Sequence, residues 1–547
     1  MVEQDGAQSK DVVSEMSVAQ LREWLRNWIA NATGQPAGSI TDDRPMEEFG
    51  LASRDAVALS GDIEDLLGVT LTATVAYQHP TIASLATRII EGEPEAPEET
   101  VDASYCVSGG TTDAHDIAIV GLSTRFPPGA GHTPSDMWEM LAAGRDGISD
   151  LPPEDRWAEF MSDPAIKAAV ENANTKGGYL DDVKGFDAEF FAMSPLEVVN
   201  VDPQQRLALE LAWEALEHAR IPASGLKGKQ VGVFIGSSAN DYQLLAVSDP
   251  TTAHPYALTG TSTAIVANRV SYFFDFRGPS IALDTACSSS LVAVHEAVRS
   301  LRSGDSNIAL AGGVNMLLAP PPGTLGFDQT GMLAPDGKLR AFSAQAQGIV
   351  RSEGGGLVVL KRLEDAERDG DSILAVIAGS AVNQDGRSNG LLAPNPDAQA
   401  DVLRFAYRDA GILPTTVDYI EAHGTGTDLG DPIEADALSR VVGRGRDDDK
   451  PALLGSAKTN FGHLEAAAGA AGLIKVVLAM QENKIPATIN YLGPNPHIDF
   501  EKSHLQVTPE ATDWPRYTGK AVAGVSGFGF GGTTRTSWSR NTCLPRR

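Results

Sequence analysis

From Asp116 onward the chain alternates short β-rich runs with helical stretches. The runs are "DIAIVGLS", "QVGVFIGSS", "SILAVIAGSAV", "VDYIEAHGTGT", "PALLGSAKTN" and "AVAGVSGFGFGG". Several end in Gly, Ser or Thr, as strands do when they feed a site at their ends. Such alternation is the pattern of an α/β or α+β architecture. At 547 residues the chain is too long for one small domain, and two or three are expected.

The first hundred residues read differently. Ser17 with Gln20 three positions on forms a capping box, and Val18, Leu21, Trp24, Leu25, Trp28 and Ile29 then share one helical face. A loop with Gly34, Pro36, Gly38 and Pro45 follows. A second helix is expected from Ser53 to Leu67, apolar at Val57, Ile63, Leu66 and Leu67 and acidic at Asp55, Asp62, Glu64 and Asp65. The stretch "QHPTIASLATRII" gives a last helix, with Pro80 near its start. We therefore expect a small all-α bundle over 16–92, after a disordered 1–15. An acidic, Pro-containing linker, "EGEPEAPEETVDAS", separates it from the α/β region.

The net charge is −29, from 43 basic and 72 acidic residues. That argues against a nucleic-acid partner, whose phosphates need a basic face. Residues 1–104 hold 6 basic and 19 acidic residues, so the N-terminal module can dock on basic surfaces. No apolar run approaches the ~20 residues of a membrane span, and the start lacks a signal-peptide pattern. A cytoplasmic location is expected. Cys106, Cys287 and Cys543 are widely spaced and give neither a disulfide framework nor a CxxC metal pattern, so no metal is expected.

Cys287 lies in "IALDTACSSSLVAVHEAV", between a β-rich run and a helical pattern. A thiol at a helix N-terminus faces unpaired amides and the positive end of the dipole, which favours thiolate, the nucleophilic form. A lone cysteine is just as often a small buried hydrophobe. Two histidines shift the balance. His423 in "EAHGTGT" and His463 in "KTNFGHLEAAAG" each follow a strand-like run among Gly, Thr and Asn. The set suits a thiol that accepts an acyl group, with two imidazoles to stabilise oxyanion or enolate charge. "GFGFGG" formally matches GxGxxG but lacks the helix and the acidic residue a dinucleotide site requires. It reads as a flexible turn whose backbone N–H approaches a substrate carbonyl.

In this order, "DTACSSS", "EAHGTGT", "KTNFGHLEAAAG" and "GVSGFGFGG" resemble the β-ketoacyl synthase of type I polyketide synthases. "FFAMSPLEVVNVDPQQR" fits the same family, and the resemblance runs over 115–533. It implies a thiolase fold of two similar halves in αβαβα layers, and a homodimer. It also implies that Cys287 takes an acyl chain as a thioester, and that His423 and His463 assist decarboxylation of a carboxyacyl extender and hold the enolate oxygen. Lys458 and Glu465 orient and polarise the site. The N–H groups of Cys287 and Phe530 form an oxyanion hole, and Phe530 also gates the pocket. The implied reaction is a decarboxylative Claisen condensation.

The N-terminal bundle resembles an acyl carrier protein. Ser53 in "EFGLASRDAVAL" falls on the serine that bears 4'-phosphopantetheine, with Ala52 and Arg54 departing from the Asp and Leu of the family pattern. Ser53 also serves as a helix cap on either reading. A carrier placed before the synthase resembles the condensing synthases of mycolic-acid biosynthesis in mycolate-producing actinobacteria. That implies a fatty-acyl-AMP ligase and a phosphopantetheinyl transferase as partners, with acyl and carboxyacyl thioesters as substrates. Downstream acyltransferase and carrier domains, which the resemblance also implies, are expected to be missing from this sequence.

The tail after Thr533, "TRTSWSRNTCLPRR", is polar and basic where the family has an apolar strand. Deleting one base from a Thr-Asn-Ala-His-Val-Val-Val-Glu coding run generates such a sequence, so 534–547 is read as a frameshift product. A core strand is expected to be lost, with Cys543 accidental. Gln345 and Gln347 replace a pair of aspartates, which is expected to loosen their loop. Two other readings stay open: a carrier and docking scaffold that only binds acyl chains, and a thiolase or acyl-transfer enzyme without decarboxylation. A thiolase would show a second active-site cysteine.

Overall fold

The computed structural model describes residues 16–51, 53–69, 71, 75–92, 116–128, 130–153, 156–248, 254–388 and 390–541, the last nine by their backbone. The expected disordered start, most of the acidic linker, Cys106 and Cys543 lie outside them. The chain divides into two compact units near residue 105.

The first unit contains helices α1 (Val18–Thr33), α2 (Ser53–Leu67), α3 (Val75–Gln78) and α4 (Ile82–Glu91). The capping box is formed: Ser17 accepts from the Gln20 N–H, and Gln20 Oε1 accepts from the Ser17 N–H at 2.8 Å. Gly34 ends α1 in the left-handed region, at φ 71°. Leu21, Leu25 and Ile29 of α1 pack with Ile63 and Leu67 of α2 and with Ile82 and Leu85 of α4. Leu59 joins this core, although the sequence pattern did not single it out. Trp28 stays at the rim and donates its indole N–H to Asp62 at 2.6 Å.

The second unit is built on one eleven-stranded sheet. Its strands are β1 (Ile117–Arg125), β2 (Val231–Gly236), β3 (Ser280–Leu283), β4 (Ile308–Asn315), β5 (Gly354–Arg362) and β6 (Ala375–Gln384). They continue with β7 (Tyr419–Glu421), β8 (Ala452–Gly455), β9 (Leu505–Val507), β10 (Ala521–Phe528) and β11 (Thr533–Asn541). The order is β9-β8-β7-β10-β11-β6-β1-β5-β4-β2-β3. Two halves meet where β1 pairs with β6 over only Ile117–Ile119. Counted along the chain, each half has the strand order 3-2-4-5-1, and β9 is added outside the second. In each, strand 2 is parallel to 3 and 4, and strand 5 is antiparallel to its neighbours. The expected repeat of two similar halves is therefore present.

Helices α5 (Pro203–His218) and α6 (Ile265–Phe274) cover the outer face of the first half. Helices α8 (Pro396–Ala410) and α9 (Gly430–Leu438) cover that of the second. Between the halves lie α7 (Ser289–Ser303) and α10 (Ala468–Gln481). Helix α10, "AGAAGLIKVVLAMQ", is apolar all round apart from Lys475 and its last residue, Gln481, and is buried on every side except at that last residue, as a central helix must be. Strand residues alternate accordingly. Ala309 and Ala311 face the central helices, while Leu310 faces α5 and α6.

One expectation is corrected here. The polar tail does form a strand: β11 pairs with β10 from Thr534 to Asn541 and with β6 from Thr533 to Arg540. Backbone ladder bonds do not depend on side-chain polarity, and the slot between β10 and β6 offers two unpaired edges to any extended chain. Truncation after Gly532 is expected to leave those edges open and to give aggregated protein, as measured by size-exclusion chromatography. A soluble, monodisperse truncation would show that β11 does not close the sheet. Gln345 and Gln347 are both exposed. Their loop is held from elsewhere, since the Phe342 N–H donates to Asp431 at 2.6 Å and the Gly348 N–H to the Gly426 carbonyl at 2.8 Å.

Candidate active site

Cys287 occupies the turn between β3 and α7, two residues before the first residue of the helix. The run of serines builds that turn. Ser289 Oγ accepts from the Thr285 N–H at 2.9 Å and donates to the Ala286 carbonyl at 2.6 Å. Ser288 Oγ donates to the Thr285 carbonyl at 2.8 Å. These bonds hold Ala286 at φ +54°, a conformation that costs a non-glycine residue roughly 1–2 kcal/mol. A glycine is required at 236, because a Cβ there would lie 2.6 Å from the backbone where Ser289 meets Ser290. Its absence lets the first turn of α7 rest on β2.

The second half supplies the remaining groups. His423 follows β7, Lys458 follows β8, His463 lies in the loop before α10, and Phe530 sits in the turn after β10. The two imidazoles pack edge to face with centroids 5.5 Å apart. Each accepts a backbone N–H at Nδ1: Phe528 donates to His423 at 3.4 Å, and Glu465 donates to His463 at 3.0 Å. A ring that accepts at Nδ1 carries its proton on Nε2 when neutral. Burial, then the Lys458 charge, holds both well below the usual histidine range, so both are neutral Nε2–H donors at pH 7.

The thiol corrects another expectation. Placement beside a helix N-terminus was expected to favour thiolate. Instead, burial pushes Cys287 up to about 12, and the Glu465 carboxylate adds to the rise. Lys458 and the N–H groups of Phe530 and of Cys287 itself pull the other way and lose. The residue keeps partial contact with solvent, yet its surroundings withdraw enough water to penalise the anion. Lys458 is buried and pulled down by desolvation, while Glu421, Glu434 and Cys287 oppose that shift.

Several residues that shape the site were not singled out by sequence reasoning. Glu434 on α9 accepts the N–H groups of His423 and Gly424, both at 2.8 Å, and so fixes the loop bearing His423. Asp431, one helical turn earlier, accepts from Phe342 and Gly426. Burial raises each carboxylate to about 7. Glu465 faces Arg351, whose Nε donates to it at 2.6 Å, and sits in the left-handed region at φ +49°. Its carboxylate is therefore committed to Arg351, while its amide orients His463. Arg351 continues to the Thr324 hydroxyl and stacks on Phe327 at 4.8 Å. Glu421 forms a fully buried ion pair with Lys475 of α10 at 2.8 Å and accepts the Ala457 N–H at 2.5 Å, directly before Lys458. The clue to these groups was their position beside the motifs, in "GDPIEAD", "IVRSEGGG" and "AAGLIK".

The profile "Beta-ketoacyl synthase, N-terminal domain" matches residues 114–366, and "Beta-ketoacyl synthase, C-terminal domain" matches 374–492. The ketosynthase from module 6 of the bacillaene synthase from Bacillus subtilis 168 is 40% identical, with TM-score 0.70, over 78% of this chain and 72% of that one. The chain belongs to the β-ketoacyl synthase family. An oxazolomycin ketosynthase domain from Streptomyces albus is 39% identical, with TM-score 0.73, over 79% of this chain and 76% of that one. The profile "Phosphopantetheine attachment site" matches residues 23–89, so a carrier domain precedes this β-ketoacyl synthase. Over 518 residues, 94% of the chain, the β-ketoacyl synthase is 50% identical to a phenolphthiocerol/phthiocerol polyketide synthase of Mycobacterium tuberculosis. It is 42% identical over 94% of its length to the pikromycin synthase component PikAII of Streptomyces venezuelae. The chain spans 27% of the first of these relatives and 14% of the second.

In the carrier domain, Ser53 is the first residue of α2. The position fits a phosphodiester, because amides at a helix start face an anion. The 4'-phosphopantetheine that such a domain carries would supply a thiol that holds acyl groups as thioesters. No helix among the described residues is long and apolar enough to cross a membrane.

Proposed function

We propose that this chain transfers an acyl group onto Cys287 and condenses it with a carboxyacyl thioester, giving a β-ketoacyl product. The observation that carries this reading is the pair of neutral histidines, both with Nδ1 occupied by a backbone N–H, in the electrostatic neighbourhood of Lys458 and the thiol. In the first step Cys287 Sγ adds to the thioester carbonyl. The oxyanion accepts the N–H groups of Phe530 and Cys287, the donor C–S bond breaks, and the thiol proton leaves with the released carrier thiol. In the second, the bond between the carboxylate and the α-carbon breaks, carbon dioxide leaves, and its electron pair forms an enolate. The enolate oxygen accepts from Nε2 of His423 and His463. The α-carbon then attacks the acyl-cysteine, and the Cys287 thiolate departs. Lys458 offers a positive charge to the carboxylate and the thiolate, Glu465 holds His463 in register through its amide, and the half-exposed ring of Phe530 gates access.

The proposed organisation is a carrier at 16–92, a linker at 93–114 and the synthase at 115–533. A phosphopantetheinyl transferase loads Ser53, and a fatty-acyl-AMP ligase charges it. The substrate we propose is a long-chain acyl thioester. The mycolic-acid branch suggested by domain order has no support among the relatives described above, one of which is a phthiocerol synthase of matching order. A homodimer is supported by the edge strand β3, where Ile281 is 41% exposed, and by Tyr272 on α6, 87% exposed. The cytoplasm, where coenzyme A thioesters are made, is the compartment we propose. A frameshift origin for the tail predicts an interrupted frame in repeated reads of the gene.

The test uses the full chain with a phosphopantetheinyl transferase and coenzyme A, then a long-chain acyl donor, followed by peptide mass analysis. The arm is expected on Ser53 and absent from Ser53→Ala. The acyl group is expected on Cys287 afterwards. An arm-loaded protein whose Cys287 is never acylated would overturn this reading in favour of an acyl-binding scaffold.

A further inference from the structure

The turn carrying Phe530 is fastened from outside the motif. Gly532 donates to the Gly529 carbonyl at 2.8 Å, which closes the turn. Its far side meets the end of β6. Gln384, the last residue of that strand, is in register with Thr533, the first residue of β11. Gln384 Nε2 donates to the Gly531 carbonyl at 3.0 Å. Its Oε1 accepts the Asp385 N–H at 2.7 Å, and that N–H also reaches the Gly532 carbonyl at 2.8 Å. Gly532 has φ +84°, and a Cβ there would collide with Gln384 Oε1. The amide thus fits against a backbone that admits no side chain. Asp385 is fixed in turn by Asn395, whose Nδ2 donates to its carbonyl at 2.8 Å and whose N–H donates to Oδ2 at 3.2 Å.

We propose that Gln384 is a positioning residue that latches the Gly529–Gly532 turn, so that the Phe530 N–H stays aimed at the carbonyl oxygen reacting at Cys287. The proposal rests on the role given above to Phe530. Gln384 touches no reacting atom. It acts through the Gly531 carbonyl, one residue from Phe530, and through the Asp385 N–H that the turn shares. Being exposed, it can be replaced without opening the core.

The experiment compares two electrophiles on the full chain. Octanoyl N-acetylcysteamine thioester acylates Cys287 through an oxyanion. Iodoacetamide alkylates the same sulfur by displacement at a saturated carbon, with no oxyanion. Gln384→Ala is expected to slow acylation about tenfold or more and to leave alkylation within about twofold of wild type. Gln384→Glu keeps the acceptor for Asp385 but loses the donor to Gly531, and is expected to behave as Gln384→Ala. Acylation at the wild-type rate in either variant overturns the latch, and equal slowing of both electrophiles overturns it as a general disturbance of the site. A wild-type protein that alkylates but is never acylated would instead bring down the functional reading itself.

Discussion

Cys287→Ala is expected to abolish acyl-enzyme formation and to lower condensation by at least ~10³-fold, the scale of removing a nucleophile. Decarboxylation of a carboxyacyl thioester is expected to survive in the same variant. The groups assigned to that step, His423, His463 and Lys458, stand on the other half of the sheet, and their backbone anchors do not involve residue 287. His463→Ala should give the converse. It removes one of two donors to the enolate oxygen and should cost decarboxylation about 10²–10³-fold, while Cys287 still accepts an acyl group. Release of carbon dioxide and peptide mass measure the two activities separately. If Cys287→Ala lost both activities equally, the separation of roles between the halves would be wrong.

Alkylation of Cys287 by iodoacetamide should rise about tenfold per pH unit, close to 100-fold between pH 7 and pH 9. The reasoning starts from burial, which lifts the thiol to about 12. Below that value the thiolate fraction, and with it the rate, grows tenfold for each unit of pH. The histidines add no inflection, because burial and Lys458 keep them neutral across this window. A thiol activated by the helix dipole alone would level off near neutrality. A plateau below pH 8 would therefore show that the N-terminus of α7, with the amides of Phe530 and Cys287, outweighs desolvation.

The motifs bearing sulfur, imidazole and the glycine turn were legible because each combines rare residues at fixed spacing. The six strand runs were legible by composition, and α1 by its capping box and apolar period. Glu434, Asp431 and Arg351 were not. Their partners are the amides of residues 423, 424 and 426 on a neighbouring loop, and the amide of residue 342 and the carboxylate of Glu465, both remote in sequence. Nothing in a string of letters separates such a buried carboxylate from a solvated one. The same limit explains the thiol. A helix start is visible locally, but the burial opposing it, and the Glu465 charge that adds to it from the other half, are not. Strand β11 was missed for a further reason: side-chain polarity predicts burial, whereas ladder pairing depends on the edges that wait for a strand.

The repeated 3-2-4-5-1 path has a consequence for how such a chain can change. In both halves a helix at the centre of the second unit follows strand 3, yet the first half places sulfur at that junction and the second places an amine. Neither half holds a complete set of reactive groups. On the proposed roles, the protein would behave like two unlike partners that share one covalent backbone, each a partial catalyst whose missing complement is guaranteed at one-to-one stoichiometry. A substitution that shifts one half against the other along the short β1–β6 contact would alter every distance between nucleophile and proton donor together, without touching either.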